Sequence, residues 1–149
     1  MVSFDKAAAC YYFFWTLILF IMQAKKSLLI LVAGPYRSGT NDKPELIAAN
    51  VQQMTDAALR IYRMGHLPVM GEWFALPLIE AAGSQKMGDA IFNEIFHPVA
   101  VQLIDHCDAV LRIGGASAGA DEMVATGRNK DKIIFTSEAD IPVVGRWHK

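Results

Sequence analysis

The sequence predicts a doubly wound α/β domain, a mainly parallel sheet of four to five strands covered by helices on both faces in three layers, with an extra apolar segment at the amino terminus. Three observations predict it. Apolar runs of strand length recur at "LLILVA", "HLPVM", "DAVLRI" and "KIIFTS". Helix-patterned stretches separate them, the order of βαβ units. The 149 residues are enough for one domain with a proper core and too few for two ordinary ones.

The amino-terminal segment stands apart. Residues 7–22, "AAACYYFFWTLILFIM", carry no charge, yet fall short of the roughly 20 residues that span a bilayer. The following "QAKKSLLILV" offers no secretory cleavage site, so export is disfavoured and a cytoplasmic location is expected. Three readings stay open for residues 1–22: a short membrane anchor with Lys25 and Lys26 at its edge, a helix buried in an oligomer, or a non-native extension ahead of a start at Met22. Residues 23–149 form the functional domain in each case.

The first strand, residues 28–33, is continuously apolar, as in a central strand covered on both faces. Asp42 and Glu45 read as a capping pair ahead of a helix, with Pro44 in its first turn. Ile47, Val51, Met54, Ala58 and Ile61 mark its apolar face and Gly65 its stop. "HLPVM" then completes a βαβ unit, with His66 marking the helix end near the ligand edge. The middle stretch reads as a loop, a short helix and a longer kinked helix, broken by Pro77, Gly83, Gly88 and Pro98. "DAVLRI" is the third strand, "GGASAGADEMVATGRNK" a glycine-rich turn feeding a helix, "KIIFTS" the fourth strand, and the tail a last short element.

Composition narrows the function. A net charge of −1, with scattered lysines and arginines, disfavours a nucleic acid polymer as partner. Cys10 and Cys107 form neither a disulfide framework nor a metal spacing and read as small buried apolar residues. Glu94 and His97 share a helix face, but a dinuclear metal site needs a second matching pair; no metal or cofactor is expected. Trp73 and Phe74, with Trp147, read by default as aromatic core, with a base pocket or an oligomer contact as the alternatives.

Ligands of doubly wound sheets sit beyond the carboxyl ends of the strands, where two loops fall. In "AGPYRSG", Gly34 allows close backbone approach, Tyr36 can stack on a base or sugar, Arg37 offers a planar fork, Ser38 donates to an anion, and Gly39 closes the turn. It is neither a Walker loop nor a dinucleotide fingerprint. In "GGASAGADE", Ser117 and Gly119 precede Asp121 and Glu122 in a first helical turn, whose dipole favours an ionised Glu122. Acidic residues are common in first turns for that reason alone. The pairing of the loops on one sheet edge is what points to a site.

"LVAGPYRSG", "NVQQMTDAALRIYRMGHLPV" and "CDAVLRIGGASAGADEMVATG" together resemble a family of uncharacterised bacterial and phage proteins in the nucleoside 2-deoxyribosyltransferase superfamily, over about residues 28–142. The resemblance implies a flavodoxin-like fold and a homo-oligomer with sites near subunit contacts. It also implies a phosphate loop of Gly34, Arg37 and Gly39, ribose contacts from Ser117 and Gly119, and Glu122 as nucleophile on the anomeric carbon. The implied substrate is a nucleoside or nucleotide. The family's helix aspartate, about eight residues before Asp108, falls on Ala100, which cannot protonate a leaving base. The turn before Glu122 is also a residue shorter. Asp121, His97 and Glu72 stay open as the replacement acid. Two functions follow: a glycosidase or transferase using Glu122, or a nucleotide-binding module without turnover.

Overall fold

The computed structural model describes residues 26–145. The apolar segment, Cys10 and Trp147 lie outside the described residues. Strand β1 (Leu29–Ala33) is followed by helix α1 (Pro44–Arg63), β2 (Leu67–Val69), α2 (Gly71–Ala81), α3 (Ala90–His106), β3 (Ala109–Arg112), α4 (Ala118–Asn129) and β4 (Ile133–Phe135). A 3-10 turn, Glu138–Asp140, ends the series, the short tail element the sequence predicts.

All four strands run parallel in the order β2-β1-β3-β4. This is the flavodoxin-like, doubly wound arrangement. From β1 the chain builds outward to β2, then returns across the sheet to β3, so the order reverses between β1 and β3. That reversal opens a crevice at the carboxyl ends of these strands.

Strand side chains alternate between faces, and β1 shows why its run is apolar throughout. Ile30 and Val32 pack with Met54, Ala57, Ala58 and Ile61 of α1. Leu31 and Ala33 face the opposite way, toward Ile104 of α3 and Ala120, Met123 and Val124 of α4. A third cluster, built from Ala75 and Ile79 of α2 and Phe92 of α3, joins these helices beside the sheet. Cys107 is buried, as its reading as a small apolar residue requires, and that burial pushes its thiol up to about 11.

Five details differ from the sequence expectation. No loop precedes α2, and Pro77 and Pro98 lie inside α2 and α3 rather than ending them. Each proline removes one helical hydrogen bond, but the two helices bury apolar faces against each other and that burial outweighs the loss. The actual break falls at Gly83 and Gly88, both at positive φ.

Asp42 and Glu45 do not form a capping pair. Lys43 is the N-cap, and Asp42, at φ 59°, turns its carboxylate away from the helix. His66 lies at the amino end of β2, remote from the ligand edge. It accepts from the Leu28 N–H at Nδ1 (3.0 Å), and its Nε2 lies 2.6 Å from the Pro142 carbonyl. One neutral tautomer satisfies both bonds and fastens the tail to the sheet. Trp73 and Phe74 are exposed on α2 rather than packed in the core.

Candidate functional site

The crevice holds a cavity of about 360 Å³, within the range of small-molecule sites. Leu31, Val32 and Ala33 of β1 contribute to its lining. From the β1 loop come Gly34, Tyr36, Arg37 and Ser38; from the turn and helix after β3 come Ser117, Gly119 and Glu122. The two loops predicted from sequence therefore meet in one cleft. They also touch directly, since a Cβ on Gly114 would lie 2.7 Å from Pro35.

Local chemistry explains how the first loop is held. Thr40 is buried and its hydroxyl donates to the Arg37 carbonyl at 2.6 Å. Asn50 of α1 donates to the carbonyls of Tyr36 and Ser38 at 3.0 and 3.4 Å. These bonds fix the backbone while leaving the side chains of Tyr36, Arg37 and Ser38 toward the cavity. Asp42 accepts from Arg37 Nε and NH2, both at 2.9 Å. The guanidinium fork thus has a bidentate carboxylate partner within its own loop. That pairing holds the Asp42 carboxyl below its ordinary range.

Two expected roles change. A Cβ on Gly34 would lie 2.9 Å from the Met54 side chain, so core packing as well as the cavity demands glycine there. Gly39 sits at φ 76° with open space around it; it shapes the turn and does not line the cavity.

The second loop is fastened by Arg112, which donates to the carbonyls of Ile113 and Gly115. Asp121 accepts from Arg112 Nε at 2.8 Å and lies outside the cavity lining. Ser117 caps α4, its hydroxyl oxygen accepting from the Ala120 N–H at 3.3 Å. Asp121 is in the first turn, and Glu122 lies just beyond it.

Glu122 meets His97 of α3, with Nε2 and Oε2 2.8 Å apart. The approach is out of line for a hydrogen bond, so Nε2 is buried without an aligned partner. The contact brings a nucleophile candidate and an imidazole together from facing helices.

Comparison with protein-family models and with curated proteins gives no match. The chemistry of the site rests on its own residues.

Those residues include several that sequence spacing left unassigned. Phe92, Asn93, Phe96, His97 and Ala100 all line the cavity from α3. Positions 92, 96 and 100 are four apart, a helical stripe that marks one face but resembles ordinary core. Phe92 and Phe96 stack with centroids 4.7 Å apart, Tyr36 lies against Phe96 at 5.0 Å, and Arg37 sits 5.9 Å from the Phe92 ring. This makes an aromatic wall beside a cation, suited to a flat heterocycle or sugar and an attached anion. Burial, followed by the charge of Glu72, raises the Tyr36 phenol above its ordinary value against the opposing effect of Arg37, so it remains a donor at neutral pH.

Glu72, at the start of α2, completes the lining. It is half-buried, and that burial holds its carboxyl above the usual range. No lysine, arginine or histidine pairs with it among the described residues. Neither Glu94 nor Trp73 lines the cavity. Among the described residues there is no cluster of three potential metal ligands, and no helix long and apolar enough to cross a membrane.

Proposed function

We propose that this protein cleaves or exchanges the N-glycosidic bond of a nucleoside or nucleotide, with Glu122 as the carboxylate nucleophile. One observation supports this above the rest: Arg37 and Glu122, distant in sequence, line a single cavity walled by Tyr36, Phe92 and Phe96. The resemblance to the nucleoside 2-deoxyribosyltransferase superfamily fits the same placement.

In this reading the Arg37 loop binds the phosphate or sugar end and the aromatic wall takes the base. Binding energy at the remote anion positions the anomeric carbon against Glu122. Positive charge develops on the sugar as the bond breaks, and the Glu122 carboxylate either stabilises it or captures it as a glycosyl ester. His97 positions that carboxylate from 2.8 Å. Water then gives hydrolysis and a second base gives exchange. The exposed Trp73, Phe74 and Leu78 on α2 support a homo-oligomer built through that helix.

Incubation with 2′-deoxynucleoside 5′-monophosphates, followed by chromatography for free base, tests the proposal. Release that Glu122→Ala abolishes is the expected result; equal release by both proteins removes Glu122 from the chemistry. A second reading, a nucleotide- or sugar-phosphate-binding module without turnover, is favoured by Ala100, which lines the cavity where the family's acid would stand. Tight binding of a monophosphate with no free base would establish it.

A further inference from the structure

A leaving base must gain a proton, and three residues were open for that task from sequence. Asp121 lies outside the cavity lining and is bound to Arg112. His97 and Glu72 both line the cavity. The stereochemistry of displacement separates them. A nucleophile attacks the anomeric carbon from the face opposite the departing base, so a group touching the nucleophile stands on the wrong face for the base. His97 is such a group, 2.8 Å from Glu122.

Glu72 enters from the other side. It follows β2 directly, Glu122 follows β3, and these two strands flank β1 on opposite sides. Neighbouring strands are about 4.8 Å apart, so the β2 and β3 backbones stand roughly 10 Å apart. Both side chains line the one cavity of about 360 Å³, so a sugar held there is met from the β2 side by Glu72 and from the β3 side by Glu122.

We propose that Glu72 is the general acid that protonates the leaving base, an assignment that rests on the N-glycosidic reading above. In the first step Glu122 attacks C1′ and the C1′–N bond breaks. Its electron pair goes to the base nitrogen, which takes the Glu72 proton. Glu122 is then esterified to the sugar and Glu72 is ionised. In the second step water attacks C1′, the ester C–O bond breaks with its pair returning to Glu122, and a water proton passes to Glu72. The environments suit the two tasks, with Glu72 desolvated and without a cationic partner among the described residues, and Glu122 exposed beside an imidazole. The acid has moved to the start of α2, and Ala100 leaves α3 room to pack against Gly71, whose own Cβ would lie 2.9 Å from that of Ala100.

The full-length chain and its Glu72→Gln and Glu122→Ala variants are assayed on two substrates. One is a 2′-deoxynucleoside 5′-monophosphate; the other is 4-nitrophenyl 2-deoxyribofuranoside 5-phosphate, whose phenolate leaves without a proton. Glu72→Gln should lower kcat on the nucleotide by about 100- to 10,000-fold and leave the nitrophenyl substrate little changed, while Glu122→Ala loses both. Equal effects of Glu72→Gln on the two substrates, whether loss or none, would overturn Glu72 as the acid and leave the glycosidic reading standing. A wild-type protein that cleaves neither substrate overturns that reading and the acid assignment with it. Independently, ¹³C NMR should show the Glu72 carboxyl, identified by its loss in Glu72→Gln, titrating above the usual carboxylate range; titration within that range overturns the assignment whatever the rates.

Discussion

Gly71→Ala isolates the contact that fixes Glu72 against α3. Gly71 opens α2, immediately before Glu72, and a Cβ there would lie 2.9 Å from the Cβ of Ala100. Carbon atoms settle about 3.5–4.0 Å apart, so the two helices must separate by about 0.6–1.1 Å. Ala100 has no flexible side chain to swing aside. Overpacking of this size destabilises by about 1–3 kcal/mol, against a helix-propensity gain of at most about 1 kcal/mol for replacing glycine. The middle of the overpacking range set against the full propensity gain leaves a net loss of about 1 kcal/mol. In urea this lowers the unfolding midpoint by about 0.5–1 M. Because Glu72 moves with the helix start, a shift near 1 Å should also lower the proposed glycosidic cleavage on the order of 100-fold. Gly115→Ala is the matched control, since no heavy atom lies within 4 Å of its Cβ position. A Gly71→Ala midpoint equal to or above wild type would refute the packing argument. A lowered midpoint with undiminished turnover would refute the coupling of this contact to Glu72.

Other outcomes follow from the loops. Asp42→Asn should tighten binding of inorganic phosphate or a deoxynucleoside monophosphate in calorimetry, because it replaces the carboxylate that occupies the Arg37 fork with a neutral amide; unchanged or weaker binding would show that Asp42 does not compete. Gly119→Ala adds a Cβ at ordinary contact with His97, 3.5 Å away, inside a helix, so stability should rise by up to about 1 kcal/mol while ligand affinity falls; a loss of thermal stability would contradict it. Asp89 caps α3 through Phe92 N–H and also accepts from Gln85 N–H, Ser84 Oγ and Lys86 N–H, which hold its carboxyl down at about 2. Its contribution is present above its unfolded value near 3.8 and is lost as pH falls through about 2. The gap in melting temperature between wild type and Asp89→Ala should therefore be full at neutral pH and close in that acid window; a gap independent of pH would refute the ionised cap.

The sequence by itself determined the order of strands and helices and the placement of both loops on one edge. Those features are local: the run "LLILVA" is apolar at every position because both its faces are covered, and glycine-bearing turns end β1 and β3 where the ligand edge begins. Tertiary structure alone decided which polar groups meet. Asp42 left the helix it was expected to cap for Arg37, Asp121 went to Arg112, and Glu122 met His97. Glu72 reached the cavity because β2 and β3 flank β1, a fact about strand order that spacing along the chain does not encode. Pro77 and Pro98 stayed inside helices for a related reason: burial between α2 and α3 outweighs a local penalty, and a local pattern contains only the penalty.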